Sequence, residues 1–397
     1  MSARQRPARI LLIGEEHVRD KVARHYDLLA EERGIQTHYF VDDRSGITRE
    51  LQKQRAMEVH YGPNPAQAKT VPLYWAGFVR TFERVRPDVV EVYTAVHYAV
   101  LLPMVLYAKL RGAAVTVVCR GELYPPIFNA LSKAARTSLV RILRAADLVI
   151  YKELYMEALL AEMCPDTEAV LWTNAIPIRP QEPEYAREGN RVLFLNFFKD
   201  WRNPDVLIRA APLVRARIPD AEFDLVGGTD NLAAAGRFYA DLNDYERGLH
   251  ALIGELGVGD YVRLHPFTSE VDPWFARAKA YVLPADLVFC NYGLLEAMER
   301  GVPPVVTDEK DPDARRIVED GVSGLVTRID PRAIADAIVE LLGDEETRQR
   351  MARAARARVA ERFDLRRGIH ALADRYEALA RRGGRARAAA RPASEAA

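Results

Sequence analysis

The sequence predicts an α/β fold in which two Rossmann-like, doubly wound domains follow one another along the chain. Its 397 residues exceed what one ordinary hydrophobic core organises. Short apolar runs of strand length alternate with helical patterns in both halves, as in βαβ units that build parallel sheets. A stretch rich in proline and glutamate, residues 179–190, separates the halves and is typical of an interdomain linker.

The first half contains six predicted strands, at residues 9–13, 37–41, 89–93, 114–119, 146–150 and 169–172. Helical patterns lie between them at residues 18–32, 74–84, 101–110 and 128–146. Between residues 52 and 73 the apolar periodicity fades, and we expect a mobile loop there.

The second half repeats the alternation. Strands are predicted at residues 192–195, 222–226, 262–265, 280–283 and 305–306, and helices at residues 203–217, 294–300, 331–342 and 345–362. The predicted organisation is a first domain over residues 1–178, the linker over 179–190, a second domain over 191–364, a helix over 365–382 and a tail over 383–397. The tail is rich in alanine, arginine and glycine, so we expect it to be disordered.

Composition excludes several classes of function. The 56 basic residues equal the 56 acidic ones, so nothing in the net charge attracts nucleic acid. The cysteines Cys119, Cys164 and Cys290 are isolated, so neither a disulfide framework nor a zinc site is indicated by them. No apolar signal segment opens the sequence, and the longest apolar run, residues 95–108, is too short to span a bilayer. We expect a cytoplasmic protein.

The stretch from residue 284 to residue 307 carries the strongest functional signal. It predicts a strand, a loop, a short helix and a second strand, and the loop of such a unit opens where parallel sheets bind ligands. Glu296, in the first helical turn, suits the two vicinal hydroxyls of a ribose. Alternatively, its carboxylate only stabilises the helix by complementing the positive end of the helix dipole. The amides predicted to face an anion are those around Asn291, Tyr292, Gly293 and Leu294.

Leu295-Glu296-Ala297-Met298-x-x-Gly301-x-Pro303 resembles the signature of family 4 glycosyltransferases, which have the GT-B fold. The sequence from residue 317 to residue 326 resembles the next strand entry of that family. The resemblance implies two domains that face each other across a cleft, with the nucleotide-sugar donor bound by the second domain and the acceptor by the first. It also implies that the helix at residues 365–382 crosses back onto the first domain.

The resemblance assigns cations to the departing diphosphate. Arg202 falls on the position of a family lysine and would bind the diphosphate bidentately, although a solvated loop arginine is the alternative. Phe197 falls on the position of a family arginine, so we expect Lys199 or Arg120 to supply the missing charge. Arg120 alternatively pairs with a nearby carboxylate, either Glu122 or Glu91.

Three other positions bear on the donor site. Val288 stands where the family has the first glutamate of its pair, so Asp286 takes over the sugar contact or that contact differs. Two strand-end glycines, Gly14 and Gly227, would let the backbone approach the donor. A simple turn is the alternative at Gly14.

We therefore expect a retaining glycosyltransferase that moves a sugar from a nucleoside diphosphate to an acceptor hydroxyl. No metal or further cofactor is expected. The alternatives are a non-catalytic GT-B protein that binds nucleotide or a partner glycosyltransferase, and a nucleotide-sugar epimerase. The basic amphipathic helix from Phe128 to Ala146 either covers its own sheet, which the pattern favours, or lies peripherally on the inner face of an anionic membrane.

Overall fold

The computed structural model describes the chain except residues 1–5, 15–19, 43–56, 66, 94–97, 120–122, 181–184, 186, 188, 229–241, 311–312 and 390–397. Two compact units divide it. Unit 1 combines Met1–Thr173 with Leu365–Ala397, and unit 2 is Asn174–Asp364.

Unit 1 is a parallel α/β sheet. Its strands are β1 Arg9–Ile13, β2 Gln36–Asp42, β3 Met57–Gly62, β4 Val89–Tyr93, β5 Ala114–Cys119, β6 Leu148–Tyr151 and β7 Ala169–Leu171. Its helices in this part of the chain are α1 Asp20–Arg33, α2 Val71–Val85, α3 Tyr98–Leu110, α4 Pro125–Ala130, α5 Lys133–Ala145 and α6 Tyr155–Met163, with a 3₁₀ turn at Ala68–Thr70. The described strands follow the order β3-β2-β1-β4-β5-β6-β7.

Unit 2 repeats this architecture. Its strands are β8 Asn190–Leu195, β9 Ala221–Gly228, β10 Val262–Pro266, β11 Ala280–Leu283, β12 Pro304–Thr307 and β13 Leu325–Thr327. Its helices are α7 Pro204–Arg215, α8 Leu242–Leu256, α9 Asp272–Arg277, α10 Tyr292–Glu299, α11 Asp313–Ile317, α12 Pro331–Gly343 and α13 Glu345–Arg362, with a 3₁₀ turn at Asp200–Arg202. The described strands follow the order β10-β9-β8-β11-β12-β13.

In both sheets the direction in which successive strands are added reverses beside the first strand. In unit 1 the strand order turns between β1 and β4, and in unit 2 between β8 and β11. Apolar side chains fill these strands on both faces, as expected of parallel strands covered by helices. Ligands of open α/β sheets bind at the carboxyl ends of the strands at such a reversal. The fold therefore creates one candidate binding edge in each unit.

The last helix, α14 Leu365–Ala389, belongs to unit 1. The hydroxyls of Tyr376 on α14 and Tyr26 on α1 both donate to the carboxylate of Glu91, in the middle of β4. Burial raises the pKa of Glu91, and the tyrosine hydrogen bonds only partly offset that effect. An ion pair of 2.7 Å between Arg33 and Asp374 adds a second contact between α1 and α14.

A buried charge cluster stabilises unit 2 away from the carboxyl ends of its strands. Glu299, at the end of α10, is 1% exposed. Its carboxylate accepts the backbone amide of Arg179 at 3.1 Å and lies 3.3 Å from the guanidinium of Arg356. Arg300 lies 3.8 Å from the same carboxylate. Because a buried charge is tolerated only when it is paired, these arginines fix the start of unit 2 against α10 and α13.

Three sequence predictions differ from the structure. The predicted loop at residues 52–73 contains strand β3 from Met57 and the start of α2, and the rest of that prediction falls partly outside the described residues. The predicted helix from Phe128 to Ala146 is two helices, because Ser132 caps a new one by accepting the amide of Ala135. Helix α14 continues past residue 382 to Ala389. Among the described residues no helix is long and apolar enough to cross a membrane.

Candidate functional site

The candidate site lies where the sheet of unit 2 reverses, at the carboxyl ends of β8 and β11. Helix α10 begins directly against this edge. A side-chain carbon at Gly293 would lie 2.9 Å from the carbonyl oxygen of Leu195 and 3.1 Å from the hydroxyl of Tyr281. Only glycine permits this approach, so the positive end of the helix dipole abuts the reversal point of the sheet.

The N-terminus of α10 is capped by its own sequence. Asn291 is the N-cap, and its side-chain oxygen accepts the amide of Leu294 at 3.3 Å. This bond occupies one of the amides that the sequence assigned to anion binding. An anion at this end would therefore be met by the amides of Tyr292 and Gly293 rather than by that of Leu294.

Arg202 lies at the end of the 3₁₀ turn that follows β8 and is 8% exposed. Its Nη1 donates to the carbonyl oxygen of Leu287 at 3.1 Å. Its guanidinium lies 4.0 Å from the ring centre of Trp201 and 5.8 Å from that of Phe289. The arginine predicted to be a solvated or diphosphate-binding loop residue is thus held against two aromatic rings that contact each other, which fixes the position of its charge.

Arg202 and Glu296 both act on the buried hydroxyl of Tyr281. Burial raises the pKa of Tyr281 well above its usual value, Arg202 lowers that pKa and Glu296 raises it further. The charges of both groups therefore act on this hydroxyl. Glu296 is 9% exposed, in the first turn of α10. The structure thus brings together a fixed cation, a carboxylate and a helix N-terminus around one tyrosine.

The loop between β11 and α10 is rigidly held. The side-chain amide of Asn203 donates to the carbonyl oxygen of Pro284 and to the carboxylate of Asp286, each at 2.9 Å. The ammonium of Lys310 lies 2.6 Å from the same carboxylate. At the other end of the loop, Asn174 donates to the carbonyl oxygen of Cys290 at 2.8 Å. Such contacts keep a loop in one geometry without help from a ligand.

Val288 and Phe197 are the two positions at which the chain departs from the family pattern, and the structure shows what surrounds each of them. Val288 is fully buried in the core of unit 2, so it lines no sugar site. Asp286, expected to replace the missing glutamate, is already bonded to Asn203 and Lys310. The ring of Phe197 stacks on that of Phe267 at 5.3 Å and 16°, which places an aromatic pair where the family has an arginine.

The remaining predicted positions are scattered. Lys199 is half-buried at the start of the 3₁₀ turn. A side-chain carbon at Gly227 would overlap the carbonyl oxygen of Asn196 at 1.7 Å, so this glycine lets β9 approach the end of β8. Gly14 makes the same kind of approach in unit 1, where a side-chain carbon would lie 2.2 Å from the carbonyl oxygen of Tyr93. Arg120 lies outside the described residues.

Sequence reasoning missed the aromatic part of this site. Trp201 and Phe289 hold Arg202, and Tyr281 lies beneath Gly293. Phe289 has a φ of 49°, which is unusual for a residue with a large side chain. The available signal was the run Trp201-Arg202, since arginine commonly stacks on a neighbouring aromatic ring.

Comparisons with known proteins agree with this architecture. Residues 177–358 match the family model of glycosyl transferases group 1. The chain is 30% identical over 192 residues to D-inositol 3-phosphate glycosyltransferase of Frankia alni, which covers 46% of each protein. It is 32% identical over 222 residues to phosphatidyl-myo-inositol mannosyltransferase of Mycobacterium leprae, which covers 53% of this chain and 52% of that protein. The chain thus matches about half the length of these relatives.

Solved structures resemble the chain over nearly its full length. Sucrose-phosphate synthase from Thermosynechococcus elongatus has a TM-score of 0.73 at 17% identity and covers 94% of this chain and 99% of its own. Anabaena HepE in complex with UDP and glucose has a TM-score of 0.74 at 16% identity and covers 94% and 100%. At such identity the likeness establishes the fold, which is the predicted GT-B fold. The chain therefore has the GT-B fold, and its residues 177–358 match the glycosyl transferases group 1, which confirms the predicted resemblance to such glycosyltransferases.

Proposed function

We propose that the chain is a glycosyltransferase that moves a sugar from a nucleoside diphosphate to an acceptor hydroxyl with retention of configuration. The observation that carries the proposal is that Arg202 is bonded to the loop that leads into α10, the helix that bears Glu296 and whose start abuts the sheet at Tyr281. Retention rests on the resemblance to family 4 alone. The relatives add weight to transferase chemistry, because each is named a glycosyltransferase or a mannosyltransferase.

Each group of the site has a distinct task in this proposal. Glu296 accepts the ribose hydroxyls of the donor, and the first turn of α10 at Gly293 faces the diphosphate. Arg202 is a cation fixed against the loop that leads into this turn, and its charge offsets the charge that accumulates on the diphosphate as the sugar departs. Lys199 and Arg120 remain the candidates for a second cation. Because side chains and amides supply this stabilisation, the proposed transfer requires no metal.

The donor and the acceptor are narrower hypotheses. HepE has been crystallised with UDP and glucose, which makes uridine nucleotides the first donors to test. The relatives named for inositol phosphate and phosphatidylinositol suggest acceptors that carry a phosphorylated polyol. A lipid-linked acceptor would require peripheral contact with a membrane. In α5 the apolar side chains Leu139, Ile142 and Leu143 are buried in unit 1, so such contact would use only the exposed basic side.

The test is incubation of the purified chain with a panel of nucleotide-sugars, in which release of nucleoside diphosphate is followed with and without candidate acceptors. The proposal predicts acceptor-dependent release from one donor, unchanged after treatment with a chelator. Nucleotide binding without release, for every donor and acceptor tried, would favour a non-catalytic binding protein. Conversion of the donor sugar to its epimer would favour the epimerase. An Arg202→Ala variant serves as the control for release at this site.

A further inference from the structure

A cluster of metal-ligating side chains lies on the sheet of unit 1, outside the site described above. Strand β3 pairs in parallel with β2, so that His38 is opposite Glu58 and Phe40 is opposite His60. Side chains two residues apart on a strand share a face. His38, Glu58 and His60 therefore project from the same face, where β3 forms one edge of the described sheet.

The distances among the three side chains suit a tetrahedral metal ion. His38 Nδ1 lies 3.3 Å from His60 Nε2 and 3.3 Å from Glu58 Oε2, and one ligand atom of each residue lies within 4.8 Å of the others. Zinc binds imidazole nitrogen and carboxylate oxygen at about 2.0–2.2 Å, so two ligands of a zinc tetrahedron are separated by roughly 3.3–3.5 Å. Two of the three donor pairs already have this separation.

Hydrogen bonding does not satisfy the cluster while Arg84 contacts His60. An NH₂ group of the Arg84 guanidinium contacts His60 Nδ1, which must then be the acceptor, so His60 carries its proton on Nε2. That proton requires His38 Nδ1 to be an acceptor too. The same nitrogen would then meet the Glu58 carboxylate, which is acceptor-only, at 3.3 Å. Moving the His60 proton to Nδ1 places it against the Arg84 guanidinium, and moving the His38 proton to Nδ1 places two N–H groups against each other. While Arg84 keeps this contact, each pair of neutral tautomers therefore leaves one mismatched contact.

A cation removes this mismatch, because His38 Nδ1, His60 Nε2 and a carboxylate oxygen of Glu58 can each donate a lone pair to it.

We infer that His38, His60 and Glu58 form a zinc site that fastens the edge strand β3 to β2. Nδ1 of His38, Nε2 of His60 and a carboxylate oxygen of Glu58 supply three ligands, and water completes the tetrahedron. His60 must then protonate Nδ1, so the guanidinium of Arg84 has to move away. Arg84 is exposed and free to do so at small cost. The site lies in unit 1, near the start of β2, and has no part in the transfer chemistry proposed for unit 2.

The experiment is calorimetric titration of zinc chloride into the untagged full-length chain after removal of metals with a chelator, together with thermal unfolding at several zinc concentrations. We expect one high-affinity site and a Tm that rises with zinc. His38→Ala and His60→Ala should each weaken zinc binding by roughly 100-fold or more. Cobalt bound in place of zinc should give the intense visible absorption of a tetrahedral complex.

Two further variants make the result decisive. Arg84→Ala should tighten zinc binding, since the guanidinium no longer competes for His60, whereas a purely hydrogen-bonded cluster predicts no such gain. His250→Ala, an exposed histidine on α8, is the matched control and should bind zinc as the wild type does. If His60→Ala fails to fold, His38→Gln with Glu58→Gln replaces it. Absence of a high-affinity site in the wild type, or zinc affinity that survives loss of both His38 and Glu58, would overturn the inference.

Discussion

The close approach of α10 to the sheet gives a sharp test of the site, through the substitution Gly293→Ala. The new methyl group would lie 2.9 Å from the carbonyl oxygen of Leu195, 3.1 Å from the Tyr281 hydroxyl and 3.2 Å from the Asn291 side-chain oxygen. The first of these atoms is backbone and cannot turn away. Overpacking of this kind costs about 1–3 kcal/mol. The higher helix propensity of alanine returns at most about 1 kcal/mol, so we expect a net loss of stability.

The same displacement should weaken nucleotide binding. If the first turn of α10 retreats, an amide no longer reaches the diphosphate, and a hydrogen bond to a charged group is worth about 1.5–3 kcal/mol. This corresponds to roughly a tenfold to hundredfold higher Kd for the nucleoside diphosphate. Urea unfolding measures the first effect and calorimetry the second.

Gly254→Ala is the matched control for this substitution. Gly254 is an exposed glycine in α8, and no heavy atom lies within 4 Å of its added side-chain carbon. The control should gain about 0.5–1 kcal/mol in stability and leave affinity unchanged. A folded Gly293→Ala protein that binds the nucleotide as the wild type does would refute the assignment of this helix terminus.

The other predictions concern three buried charges. Arg202→Ala should lower kcat more than it raises the donor KM, and an effect on KM alone would limit Arg202 to ground-state binding. The same variant should lose about 1–3 kcal/mol of stability, because the carbonyl oxygen of Leu287 loses its donor. Glu299→Gln should cost about 3–5 kcal/mol in urea unfolding, since three arginines lose their buried partner, and a loss below 1 kcal/mol would contradict that reasoning. Burial raises the pKa of Glu91 in the folded protein above 4.5, the ordinary pKa of a glutamate. The folded state therefore binds the proton more tightly than the unfolded state, and stability falls as the pH rises above 4.5. The free energy of unfolding of the wild type should therefore fall relative to that of Glu91→Gln as the pH rises from 4 to 8. Parallel pH profiles of the two proteins would contradict this sign.

Much of the fold follows from local patterns. Strands such as β1, β5 and β11 are apolar along their whole length because helices cover both faces of the sheet, and that makes them visible in the sequence. Strand β3 was missed because it lies at an edge and reads Met-Glu-Val-His-Tyr-Gly, with polar side chains at His60 and Glu58. An edge strand meets solvent and lacks the continuous apolar run.

The site was predictable only where it depends on chain-local geometry. The helix start at Asn291 and the position of Glu296 follow from capping and spacing within one motif. The environment of Arg202 does not, because Leu287 and Phe289 reach it from a loop more than 80 residues later in the chain. The interactions of Asp286 with Lys310 likewise depend on tertiary contacts that spacing does not encode.

The measurement that tests the central claim most directly is nucleoside diphosphate binding to Glu296→Gln. If the Glu296 carboxylate holds the ribose hydroxyls, its replacement by an amide removes a charge-assisted hydrogen bond, and calorimetry should show binding weakened by about 1–3 kcal/mol. The matched control is Glu340→Gln, an exposed position on α12, which should bind as the wild type does. Unchanged affinity in a folded Glu296→Gln protein would contradict the assignment of this edge of unit 2 as the donor site.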